Sequence, residues 1–161
     1  MLGRLIPKSI DNDYRGSWLA LIFFLPVLAM KSIIGVNISG LNPYVTTERI
    51  LKSADGVPLD LWPADAVRQI VFSSAAWGAV MLILCLFALL ALVRYRALLP
   101  LLILMFLVEQ ATRKWIATAA FGAPDPGAAH AIGFYINWGF TIALVLAFAL
   151  SLVERRRRRG A

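Results

Sequence analysis

Four polar side chains within two helical turns, Glu109, Gln110, Arg113 and Lys114, close a run that is otherwise soluble in hydrocarbon. The stretch from Leu98 to Trp115 reads LLPLLILMFLVEQATRKW, with no charge between Pro100 and Val108. A carboxylate, an amide and two cations at this spacing can form ion pairs along a helix, hold a polar ligand, or pass a proton. Glu109 and Arg113 are spaced i, i+4 and can pair on one face; Gln110 and Lys114 share the adjacent face. At membrane depth such groups are costly and need partners on neighbouring helices. The rest of the chain must supply them.

The 161 residues are 60% hydrophobic and only 16% charged, with a mean hydropathy of +0.76. An average soluble domain is about 45–50% apolar and about 25% charged. The excess lies in four blocks, each near the ~20 residues a helix needs to cross a bilayer. Spans are expected at about 17–36, 69–93, 98–118 and 131–153. The fold class expected is an all-α membrane protein: an antiparallel four-helix transmembrane bundle forming a single membrane domain over 1–161. Residues 37–68 make one long outer loop and helix extension, and 154–161 a basic cytoplasmic tail. The positive segment before the first block resembles a signal peptide, but no small-x-small cleavage site surrounds Ala29-Met30-Lys31, so the block is read as a retained span.

Within this frame the spacing makes local predictions. Pro26 sits inside the first span, where it kinks the helix or loosens one turn. Thr46 is a plausible N-cap for a short helix to Ser53, and Ser53-Ala54-Asp55-Gly56-Val57-Pro58 reads as a turn. Pro63 and Asp65 suit the start of a helix running to about Val93, roughly 45 Å, so its first turns stand above the membrane.

Ten of the sixteen lysines and arginines fall on one side if the N-terminus is inside: Arg4, Lys8, Arg15, Arg94, Arg96 and Arg155 to Arg159. Positive residues favour the cytoplasmic side, which puts both termini there in a multi-pass inner-membrane protein. Tyr14, Trp18 and Tyr95 then fall at the inner interface, and Trp115, Tyr135 and Trp138 at the outer one. The net charge of +7 sits mostly at block ends, which argues for lipid and against nucleic acid. The lone Cys85 cannot form an intrachain disulfide, and one cysteine with one histidine, His130, cannot build a structural Cys/His metal site. His130 reads as a solvated loop residue. No nucleophile–base pair is visible and no cofactor is expected.

Several of these segments are similar to those of a family of small bacterial four-span membrane proteins. They are IDNDYRG before the first span, SADGVPLD in the long loop, RYRALLPLL at the second turn, VEQATRK in the third span and GFYIN opening the fourth. The resemblance implies a bacterial four-helix bundle and carries no activity with it.

Depth counted at 1.5 Å per residue puts Glu109 roughly 20 Å beyond Arg96 and Lys31 roughly 20 Å beyond Trp18, so the two are expected to meet in the outer half. Ser73, Ser74, Asn137 and Thr141 join them there, while the inner half is almost wholly apolar. Two readings follow. Lys31, Glu109, Gln110, Arg113 and Asn137 form a ligand or proton site open to the outer side, in a small-molecule binder or proton-coupled transporter. Alternatively they are structural ion pairs in an accessory or scaffold protein that assembles with a membrane protein partner or with itself. Gly139, Ala143, Ala147 and Ser151, four residues apart, form a small-residue stripe that lets helices approach closely, for core packing or for homodimerisation, with a shorter version at Ser74 and Gly78. Arg155, Arg156, Arg157, Arg158 and Arg159 anchor the tail to anionic lipid head groups, at about 1 kcal/mol per basic residue.

Overall fold

A computed structural model describes residues 11–122 and 132–153. Among these, regular structure is helical throughout: α1 (Leu19–Ile38), α2 (Thr47–Ser53), α3 (Ala64–Arg94), α4 (Leu99–Phe121) and α5 (Ile132–Leu152). Single 3-10 turns cover Leu59–Leu61 and Arg96–Leu98. Helices α1, α3 and α5 are long and apolar enough to cross a membrane, so this is a membrane-embedded protein. Helix α4 has the length, at 23 residues, but carries Glu109, Arg113 and Lys114 from its middle onward. Pro26 is accommodated within an unbroken α1.

Burial repeats with a period near 3.5 residues. On α1 the covered positions are Ala20, Phe24, Val27, Leu28, Lys31, Gly35 and Ile38; on α3 they are Gly78, Met81, Cys85, Ala88 and Ala91. Alternating steps of three and four keep one stripe of a 3.6-residue helix facing its neighbours. The remaining faces expose large apolar side chains such as Ile22, Phe72, Ile83, Phe87 and Ile142, as lipid-facing surfaces do.

The chain divides into two compact units. The first comprises Met1–Val27, Phe87–Ala123 and Phe140–Ala161. Its core is Phe24, Leu99, Ile103, Phe106, Leu144 and Ala147, with the Phe24 and Phe106 rings edge to face at 5.6 Å. The segment before α1 is clasped onto this core. Ser17 N–H donates to the Leu150 carbonyl at 3.3 Å, and Ala97 N–H donates to the Asp11 carbonyl at 3.3 Å. Gly16 lies so close to the Ser151 carbonyl and the Tyr14 ring that any Cβ there would collide with both. The Tyr14 hydroxyl donates to the Ser17 carbonyl at 3.2 Å, and its burial pushes the phenol pKa up to about 12.

The second unit comprises Leu28–Leu86 and Pro124–Gly139. Here α1 and α3 cross at two glycines. A Cβ on Gly35 would lie 2.9 Å from Leu82 Cδ2, and one on Gly78 would lie 2.9 Å from Ser39 N. Helix α2 sits on the end of α1: Thr47 Oγ1 donates to the Ile38 carbonyl at 2.8 Å, satisfying an acceptor that the helix terminus leaves open. The Thr46 hydroxyl caps α2 by accepting from Arg49 N–H at 3.3 Å. Leu51 and Leu59 are buried beneath the loop, and Gly56, at φ 69°, makes the turn between them.

Candidate functional site

The polar cluster on α4 occupies the packed face of that helix, continuing the stripe of Leu99, Ile103 and Phe106. Gln110 is 0% exposed, although its neighbours Ala111 and Thr112 are open. Arg113 links the cluster. Its Nε lies 2.9 Å from Glu109 Oε1, and its Nη2 donates to Gln110 Oε1 at 2.9 Å. An ion pair on one side and a charged hydrogen bond on the other hold the guanidinium against α4. Beyond Lys114 the face is lost: residues 115–120 are exposed on every side of α4.

The first unit therefore brings together Glu109, Gln110 and Arg113. Lys31 and Asn137 belong to the second unit. Lys31 is 1% exposed, because it falls on the packed stripe of α1 between Val27 and Gly35. The amide of Asn137 donates to the Gly133 carbonyl at 2.8 Å, one turn back on α5. Among the described residues no group of three or more His, Cys, Asp or Glu side chains is placed to hold a metal ion.

The small-residue stripe does not stay on one face. Ser151 and Ala147 are buried and Ala143 is half-buried, whereas Gly139 is exposed with no atom within 4 Å of where its Cβ would be. Four residues exceed a turn by about 40°, so each step rotates the stripe away from the contact. The covered positions of α5 are instead Gly133, Leu144, Ala147 and Ser151. Arg155, Arg156, Arg157, Arg158, Arg159 and His130 lie outside the described residues.

The loop motif SADGVPLD, to which the sequence attaches no mechanism, docks on the start of α5. Gly133 N–H donates to the Ala54 carbonyl at 2.9 Å, and Asp55 Oδ1 lies 2.8 Å from where a Gly133 Cβ would be. A carboxylate at a helix N-terminus is stabilised by the macrodipole, by about 0.3–1 kcal/mol at exposed sites. Val57 N–H closes the turn onto the Leu51 carbonyl, and Lys52 pairs with Asp60 at 2.5 Å. GFYIN is thus the receptor for SADGVPLD, and RYRALLPLL the receptor for IDNDYRG through Ala97 and Asp11. No periodicity signals these contacts, because their partners are far apart in the chain.

Fold and site together define a helical membrane protein that keeps an ion-paired polar cluster on a packed helix face. No family model matches the chain, and comparison with curated proteins and with solved structures likewise finds no match.

Proposed function

We propose that this chain is an integral membrane accessory or scaffold protein: a four-helix bundle in a bacterial inner membrane, both termini cytoplasmic, assembling with other membrane components. The observation that carries the reading is the arrangement of the α4 cluster. Glu109, Arg113 and Gln110 are engaged with one another, which is what ion-paired structural groups in a membrane helix require. Reading α4 as the fourth span rests on its length and on that pairing, which lowers the cost of its charges. The orientation rests on the basic bias, and exposed Trp18, Trp115, Tyr135 and Trp138 suit an aromatic belt. The resemblance of the five segments to small four-span proteins agrees with it.

Exchanging the charges, Glu109→Arg with Arg113→Glu, tests the reading. A structural pair survives reversal, so the double variant should accumulate in the membrane and copurify with the same proteins in mild detergent, as identified by mass spectrometry. Loss of those partners from a stable, folded double variant would count against it.

A second reading is a small-molecule binder or proton-coupled transporter built on Glu109 and Lys31. It is favoured by the burial of Lys31, since a cation on the packed stripe of a membrane helix is retained at a cost. Under this reading Glu109→Gln abolishes uptake or ligand binding at unchanged abundance.

A further inference from the structure

The turn after α1 has an unusual combination of level, surface and internal bonding. Its level follows from the crossing with α3, where Gly78 packs against Ile38 and Ser39. From Gly78, α3 continues outward to Ala64, about 21 Å along its axis. Its apolar sequence begins at Ile70, about 12 Å beyond the crossing. The turn 39–45 thus leaves α1 at a depth where α3 is still in its apolar stretch.

Its surface is apolar: Leu41 is 69% and Tyr44 87% exposed, with Pro43 open between them. Several of its polar groups are bonded locally. Ser39 N–H donates to the Gly35 carbonyl at 2.9 Å and Ser39 Oγ to the Val36 carbonyl at 3.2 Å. Asn42 Nδ2 donates to Asn37 Oδ1 at 2.7 Å, while Asn42 Oδ1 accepts from Tyr44 N–H at 2.9 Å. Asn42 serves as the internal solvent of the turn. Irregular backbone is not tolerated within the hydrocarbon itself, so at this depth the backbone of the turn belongs at the head-group boundary, with only its apolar side chains reaching below.

We propose that the turn 39–45 is inserted into the lipid leaflet at the Ile38 end of α1. Leu41 and Pro43 sit among the upper acyl chains, and the Tyr44 hydroxyl reaches the head groups, where tyrosine is favoured. The partner is phospholipid. The proposal rests on α1 and α3 being spans.

The test places a nitroxide at position 41, 44, 48 or 80 on a Cys85→Ala background, in vesicles of phosphatidylethanolamine and phosphatidylglycerol. Positions 41 and 44 should be broadened by oxygen and protected from a nickel chelate, as position 80 on the exposed face of α3 should be. Position 48 on α2 should show the reverse. Nickel access at 41 and 44 with 80 protected would mean a water-lined turn and overturns the insertion while leaving the spans intact. Closure to both reagents would mean a protein covers the turn, and equally overturns it. Nickel access at 80 would remove the spanning reading and the insertion with it. Should the cysteine-free background misfold, a lipid-borne diazirine applied to the native chain decides the same question: label on Leu41 to Tyr44 is expected, and its absence beside a labelled α3 overturns the proposal.

Discussion

Helix α5 contains two glycines, six residues apart, for which one substitution should have opposite effects. Replacing Gly139 by Ala adds a methyl group where nothing lies within 4 Å and removes the entropy cost of glycine inside a helix. The expected gain is about 0.5–1 kcal/mol. Replacing Gly133 by Ala drives the same methyl to 2.8 Å from the Ala54 carbonyl and from Asp55 Oδ1. The carbonyl is backbone and cannot swing aside, so either α5 or the SADG turn must shift. Overpacking of this kind costs about 1–3 kcal/mol. The 2.9 Å bond from Gly133 N–H to the Ala54 carbonyl is weakened by the same shift, at up to about 1 kcal/mol more. The propensity gain offsets little of this, because Gly133 lies in the first turn, where glycine costs less. The two variants should therefore differ by about 2–4 kcal/mol in unfolding free energy, built from these terms. Thermal unfolding in one detergent, followed by far-ultraviolet circular dichroism, should give a lower Tm for Gly133→Ala and a Tm at or above wild type for Gly139→Ala. Protease sensitivity at the 53–60 loop should rise only in the former. Equal shifts for the two variants would refute the docking of the loop on α5.

Three further outcomes follow from contacts described above. Thr47→Val removes the hydroxyl that satisfies the Ile38 carbonyl and should cost about 1–3 kcal/mol, read as faster amide exchange at the end of α1. Gly78→Leu should separate α1 from α3 and lower Tm more than Gly139→Leu, since a Cβ at position 78 already meets Ser39 N at 2.9 Å. Tyr14 makes stability depend on alkaline pH. Below pH 10 the phenol is neutral whether folded or unfolded; between 10 and about 12 the unfolded chain ionises first, so folding weakens as pH rises. Tyr14→Phe should remove that component of the decline, and an unchanged pH profile would show that Tyr14 is not its source.

Much of the helical plan is legible from hydropathy and a few local signals. Thr46 announces the start of α2, Gly56 and Pro58 the turn after it, and Asp65 the first turn of α3. The α4 cluster is legible as well, because Glu109 and Arg113 are neighbours on one helix and their pairing needs no tertiary information. What the sequence hides lies between segments. Gly16, Gly35, Gly78 and Gly133 each sit where a neighbouring segment comes too close for a Cβ, yet on paper they resemble the exposed Gly139. The four-residue stripe likewise runs from buried Ser151 and Ala147 to exposed Gly139. Spacing alone records which small residues share a face, and drift of the helix decides which of them reach a contact.

Helix α5 is fastened at both ends by segments that precede it in the chain: the Ala54 carbonyl at its start, and Ser17 N–H at its finish. During synthesis those segments emerge first and wait, since folding proceeds from the N-terminal side. Until α5 is inserted, the Ala54 carbonyl and the Ser17 N–H lack these partners, and Gly16 lacks the Ser151 carbonyl that packs against it. Arrival of α5 thus supplies the partner for one backbone bond in each of the two units. A nascent chain stalled before α5 would leave both of these backbone groups without the partners they have in the folded chain.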